Sequence, residues 1–388
     1  MNVGMLVNNL AVSGGYQKLV LRLGRELEAL GHAVTIYTLH LDREHCYPED
    51  VGALTIRALP DAPPPGAAAW SRLAAMVNRE HDALVLHDEA SLHALARLDG
   101  FTGRVIWMLN NELSFPTVSL DLRDLLRQMV ATRRPGPTTA VLVEATRGIG
   151  ERRALRRAAR RVDAFAVYDS RNAAAVKRYL GREATLVYAG ADIDDFEQIA
   201  ASRGSEVPET FRVVSVGVLF PHRRYEDLVD AIAIIGGDAP VQLTIVGLHT
   251  LQPRYASALQ ERVVALGLDD QVSFRQYLDA GELDELYRRA NAFAFVNDGL
   301  TWGIAVFEAL AAGLPLVLSA TAGASDLLTD GRHAWIVPPR DPGAIAVALL
   351  EIYHSPEEAR RRVATARDEV LDVVRWPAFA ARIEGLLQ

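Results

Sequence analysis

The sequence predicts an α/β protein made of two doubly wound parallel sheets, and three observations predict it. At 388 residues the chain is long enough for two domains, each able to bury a core of its own. Short apolar runs of strand length alternate with amphipathic runs of helix length, which is the pattern of repeated βαβ units. That alternation starts afresh after Phe196 to Thr210, a polar stretch carrying Gly204 and Pro208 that reads as a linker.

The elements follow in order. Val3 to Val7 reads as a strand, Ser13-Gly14-Gly15 as a turn, Tyr16 to Leu30 as a helix closed by Gly31-His32, and Ala33 to Thr38 as the next strand. Further strands are expected at Ala83 to Leu86, Val105 to Leu109, Ala164 to Tyr168 and Thr185 to Tyr188. The second series has strands at Arg212 to Val216, Gln242 to Val246, Val272 to Phe274, Ala292 to Val296, Leu316 to Leu318 and Ala334 to Val337, with a helix at Leu228 to Ile235. A terminal helix is expected beyond Val374. The domains read as 1–200 and 201–372, with 373–388 as the terminal helix. Such sheets bind ligands at the carboxyl ends of their strands, so a cleft between the two domains is the expected active site.

Composition narrows the class. Half the residues are hydrophobic and the net charge is −8, which argues against nucleic acid as the main partner. The single cysteine, Cys46, excludes an internal disulfide framework and suits a reducing compartment. Met1 to Val7 lacks the pattern of a secretory signal, and no run reaches the ~20 apolar residues a spanning helix needs. A soluble cytoplasmic protein is the expectation. Arg147 to Arg161 is a basic helical stripe that reads first as a solvated face near Glu144 and Glu151, and second as a weak contact for a phosphorylated acceptor or the inner membrane face.

One carboxylate stands out. Glu308 is the only formally charged residue between Asp298 and Asp326, in a helix opened by Gly303 and closed by Gly313-Leu314-Pro315. A carboxylate in so apolar a setting needs hydrogen-bond donors from the protein or from a ligand. The run Leu300 to Val317 resembles the signature of glycosyltransferase family 4, retaining enzymes of GT-B fold in which a Glu-x7-Glu pair brackets a nucleotide-sugar donor. The resemblance implies two Rossmann-like domains facing an interdomain cleft, and a terminal helix, 373–388, that crosses back to the N-terminal domain; Trp376 resembles a tryptophan commonly seen in that helix. It places Glu308 at the second glutamate, which in the family holds the ribose hydroxyls. The first glutamate position is Leu300, with Asp298 two residues upstream. Trp302 and Gly303 align with the family's aromatic-glycine pair.

The same resemblance assigns further residues. Gly14 and Gly15 match the glycine loop beside the donor diphosphate, where a flexible backbone and a helix N-terminus can approach an anion. Arg223 and Arg224, before the helix of the second series, form a cationic seat for the diphosphate; the family's other cation position is Val218. Asn110 occupies the place of a histidine that contacts the donor sugar, and can orient a hydroxyl without acting as a base. Tyr277 and Leu278 would frame the base, Gly323 would bring backbone near the phosphates, and Gly190-Ala191-Asp192 matches a turn near the hinge. His87 and Asp88 follow a strand and could line the acceptor side.

The expected activity is metal-independent, retaining hexosyl transfer from a nucleoside-diphosphate sugar, UDP- or GDP-linked, to a saccharide, a lipid-linked acceptor or a small molecule. No cofactor is expected, and neither an Asp-x-Asp triplet nor a His/Cys cluster is read as a metal site. Two alternatives stay open, a catalytically impaired nucleotide-sugar-binding protein, which Leu300 and Val218 favour, and a GT-B sugar-nucleotide epimerase.

Overall fold

The computed structural model describes residues 1–60, 66–109, 156–203, 209–276, 278–299 and 301–388. It divides into two compact units, one of Met1–Tyr188 with Phe379–Gln388 and one of Ala189–Ala378. In the first, β1 (Asn2–Leu10), β2 (Ala33–Leu41), β3 (Ile56–Ala58), β4 (Ala83–Leu86), β5 (Arg104–Leu109), β6 (Ala164–Val167) and β7 (Thr185–Leu186) form a sheet in the order β3-β2-β1-β4-β5-β6-β7. In the second, β8 (Phe211–Val216), β9 (Val241–Val246), β10 (Val272–Arg275), β11 (Ala292–Phe295), β12 (Leu316–Ser319) and β13 (Trp335–Val337) run β10-β9-β8-β11-β12-β13. Neighbouring strands are parallel throughout the described pairs. The six strands of the second sheet follow the same order as the first six of the first sheet, which carries β7 as an additional edge strand.

Central strands of such sheets are covered on both faces, so they need uninterrupted apolar runs. β4, β11 and β12 are buried along their whole length. Acidic caps start several helices: Asp88 accepts from the Ser91 amide at 2.6 Å, Asp169 from Asn172 at 2.8 Å, and Asp279 forms a reciprocal capping box with Glu282. The helix Tyr225–Ile235 buries Leu228, Val229 and Ile232 against the second sheet's core.

Two details depart from the sequence reading. β3 is an extra strand of only three residues, too short to leave a periodic trace. The stretch expected as a linker begins inside the helix Ile193–Ala201, whose Phe196 packs edge-on against Tyr287 at 5.0 Å. The helix Trp376–Leu387 starts in the second unit, where Trp376 Nε1 donates to Asp192 at 2.6 Å, and ends in the first, where Arg104 donates to the Leu386 carbonyl at 2.6 Å.

In each sheet the strand order reverses direction once, between β1 and β4 and between β8 and β11. Loops leaving the carboxyl ends of those strands diverge to opposite faces and leave a crevice. The two crevices therefore open beside the residues that follow Leu10, Leu86, Val216 and Phe295.

Candidate functional site

The loop after β8 is built around Arg223. β8 ends at Val216, and Gly217 adopts φ +155, a conformation side chains with a Cβ rarely take. A Cβ there would stand 2.7 Å from Arg223 Nη1, so the glycine makes room for the guanidinium as well as for the turn. The short 3-10 turn Pro221–Arg223 then folds Arg223 inward, leaving it 2% exposed. Its Cζ lies 3.8 Å from the centroid of Phe295, the last residue of β11, and 5.4 Å from that of Tyr225. Among the described residues its Nε and Nη2 are buried without a hydrogen-bond partner. A positive charge thus sits at the switch point of the second sheet between aromatic faces.

Arg224, next along the chain, has the opposite environment. In the left-handed region at φ 48, it donates to both Asp227 oxygens at 2.9 and 2.7 Å and lies 2.6 Å from Glu226. The Asp227 hydrogen bond raises its pKa further. Its charge is already matched by carboxylates. Asp298, past β11, is likewise engaged, with its side chain 2.6 Å from Arg340 and its amide donating to the His222 carbonyl at 2.9 Å. Burial, then the Arg223 charge, lower the pKa of His222.

Glu308 lies in the helix Ile304–Ala311 and is 7% exposed. Burial raises the Tyr287 phenol well above its usual pKa, and the Glu308 charge adds to that, so the two groups are neighbours. Gly303 starts the helix at φ 89, and a Cβ on it would stand 3.1 Å from Phe295 Cζ. Trp302 turns its polar edge inward: Nε1 donates to the Ala189 carbonyl at 3.2 Å, and the ring packs on Phe307 at 5.2 Å. Gly323 lies against Trp302, and its amide donates to the Thr301 carbonyl at 2.8 Å. Trp302 and Gly323 knit two loops together.

In the first unit, the turn after β1 presents Gly14 as the extended N-cap of the helix Gly15–Ala29. Ser13 Oγ donates to the His45 carbonyl at 2.7 Å, and Tyr47 OH to the Gly14 carbonyl at 3.3 Å, which fixes the loop. Asp88, after β4, accepts from the Asn8 amide and the Tyr16 hydroxyl, each at 2.7 Å. Asp88 thereby ties both sides of the first switch point together. His87 is fully buried, and burial pushes its pKa down to about 3.

Comparison with known proteins bears on this arrangement. Residues 197–369 match the family of glycosyl transferases group 1. Mannosylfructose-phosphate synthase of Agrobacterium fabrum is 24% identical over 181 residues, 45% of this chain and 40% of that enzyme. A GDP-mannose-dependent alpha-(1-6)-phosphatidylinositol monomannoside mannosyltransferase of Mycolicibacterium smegmatis is 29% identical over 185 residues, 45% of this chain and 47% of that one. The chain therefore matches less than half the length of either enzyme. HepE of Anabaena, crystallised with UDP and glucose, superposes with a TM-score of 0.75 at 16% identity, covering 100% of this chain and 99% of that one. The fold is GT-B, with two Rossmann-like domains.

The group 1 match spans Arg223, Arg224, Trp302, Gly303, Glu308 and Gly323 and excludes the first-unit loop of Gly14 and Gly15. Leu278 lies half-buried between β10 and the helix Ala280–Arg289. Asn110, Tyr277 and Leu300 fall outside the described residues, as does most of the basic stripe from Arg147. Contrary to the sequence reading, an Asp-x-Asp triplet is present, Asp192-Ile193-Asp194, and both carboxylates are engaged: Asp192 accepts from Trp376 Nε1 and Asp194 pairs with Arg375. Among the described residues no group of three His, Cys, Asp or Glu could hold a metal ion. Sequence reasoning paired Arg223 with Arg224 and missed Phe295, because an aromatic on a separate strand carries no local signal of what lies over it.

Proposed function

We propose that this protein is a retaining, metal-independent glycosyltransferase that moves a hexosyl group from a nucleoside-diphosphate sugar to an acceptor. The observation that carries the reading is Arg223, a buried guanidinium with two nitrogens unpartnered among the described residues, at the switch point of a Rossmann-like domain. Desolvating such a charge is costly, and an anionic ligand would offset the cost. A diphosphate meets that need, and gains charge on its leaving oxygen as the glycosidic bond breaks, so the same contact stabilises the transition state.

In this reading Glu308 accepts hydrogen bonds from the ribose hydroxyls, Gly14 and Gly15 bring backbone and a helix N-terminus near the donor, and Asn110 orients a sugar hydroxyl. Leu278 with Tyr277 frames the base. Arg224 supports the loop by holding Asp227 and Glu226 and leaves the diphosphate to Arg223. Attack would come from the face the phosphate leaves, and the phosphate would take the acceptor's proton. The matched enzymes are named for making a mannosylfructose phosphate and for mannosylating a phosphatidylinositol monomannoside, which suits a saccharide or lipid-linked acceptor for this chain. No described helix is long and apolar enough to cross a membrane, and we place the protein in the cytoplasm, with contact at the inner membrane face if the acceptor is lipid-linked.

A thermal-shift series with UDP, GDP, ADP and TDP tests donor binding, since a ligand of the native state raises its apparent stability. One nucleotide should raise Tm, and Glu308→Ala should lower that nucleotide's affinity about tenfold through the lost ribose contacts, roughly the worth of one charged hydrogen bond. Unchanged affinity would remove Glu308 from the ribose. Incubation of the matching sugar nucleotide with and without EDTA, followed by NMR of the anomeric centre, reads transfer, metal dependence and stereochemistry. A second reading, binding without transfer, is favoured by Leu300 and by Arg340 occupying Asp298. Nucleotide binding with no product or donor hydrolysis would select it.

A further inference from the structure

A buried arginine is ordinarily matched by a carboxylate, which also cancels the charge it holds. Arg224, though partly exposed, is matched in this way by Asp227 and Glu226. Arg223 is not. We propose that Phe295 is the positioning residue for Arg223, an aromatic seat that fixes the guanidinium at the switch point while leaving its full charge for a diphosphate. The diphosphate part of this proposal rests on the nucleotide-sugar reading; the seat itself rests on geometry.

The seat is assembled from two adjacent strands. Phe295 closes β11 and is 1% exposed, and β11 pairs directly with β8, from whose end Arg223 folds back. The guanidinium carbon stands 3.8 Å above the ring centroid, with Tyr225 at 5.4 Å as a second wall. A ring face attracts a cation through its quadrupole and adds no net charge. An incoming anion therefore need not displace a carboxylate. Two glycines keep the space: a Cβ on Gly217 would stand 2.7 Å from Arg223 Nη1, and one on Gly303 3.1 Å from Phe295 Cζ. Nε and Nη2 then have no partner among the described residues, which suits them to phosphate oxygens.

The test is a double-mutant cycle on the full chain, using inorganic pyrophosphate as one probe and the best-binding nucleoside diphosphate as the other, with its nucleoside as control. Phe295→Leu keeps an apolar side chain and removes the ring face. It should weaken pyrophosphate and nucleotide binding about tenfold, the scale of a desolvated cation–π contact, and leave nucleoside binding unchanged. In an Arg223→Ala background, Phe295→Leu should add less than about twofold, because its effect passes through Arg223. Phe295→Met serves as a second variant if Phe295→Leu does not fold. Pyrophosphate affinity insensitive to both substitutions overturns the proposal, as does an equal loss with and without Arg223. If the nucleotide binds but neither variant alters it, the seat fails and the nucleotide reading stands. If pyrophosphate binds through the seat and no nucleoside diphosphate binds more tightly, the nucleotide reading fails and the seat stands. Failure of both probes on the wild-type chain overturns both.

Discussion

Two neighbouring arginines show how burial decides what a charge can do. Arg223 is enclosed by rings and glycine, whereas Arg224 is held by two carboxylates. Their substitutions should separate. Arg223→Ala should abolish most nucleotide affinity, while Arg224→Ala should change it by less than about threefold and lower Tm, since a partly exposed bidentate pair contributes about 1 kcal/mol. Isothermal titration beside thermal melts reads both effects, and equal losses of affinity would return Arg224 to the phosphate. At this scale the sequence was informative where charge stood out against its surroundings. Glu308 was visible as a lone carboxylate and the arginine pair as a cationic cluster. Which arginine keeps its charge was not visible, because the partners differ by one position along the chain and Phe295 lies on another strand.

At the scale of elements, the strands were legible because buried parallel strands must be continuous apolar runs, and β4 coincides with its expected span. Their edges and the three-residue β3 were not, since terminal residues and short edge strands are set by pairing rather than by pattern. The turn Gly190-Ala191-Asp192 and Trp376 were both visible in the sequence, and the structure joins them. Trp376 Nε1 donates to Asp192 at 2.6 Å, and a Cβ on Gly190 would stand 2.2 Å from the indole. No rotation of a methyl relieves that approach. Gly190→Ala should therefore destabilise by about 2–3 kcal/mol through overpacking, and Trp376→Phe by about 1 kcal/mol through the lost hydrogen bond. Denaturant melts of the two variants and their combination check this, and the combination should fall well short of additive because Phe leaves more room for the added methyl.

For the whole molecule, His87 makes stability depend on pH. Burial at the end of β4 holds the imidazole neutral, with its pKa pushed down to about 3, whereas in the unfolded chain a histidine titrates near 6.5. Below about pH 6.5 the unfolded state binds a proton that the folded state refuses, so stability falls with falling pH from there toward pH 3. Between pH 6.5 and 5 the loss from this one group is about 2 kcal/mol, taking ~1.4 kcal/mol per pH unit. Burial lowers the His81 pKa as well, which adds in the same direction. Glu358 and Glu369, both held at about 2 by hydrogen bonds from neighbouring cationic side chains, contribute only when the pH drops below the ordinary carboxylate range. The two windows can be told apart. Tm followed from pH 8 to 2 should decline below 6.5, and His87→Leu should flatten the decline between 6.5 and 5 while the acid-limb loss below pH 4 persists. An unchanged slope in His87→Leu would mean that the imidazole titrates alike in both states, and that burial at this strand end does not set the molecule's response to mild acid.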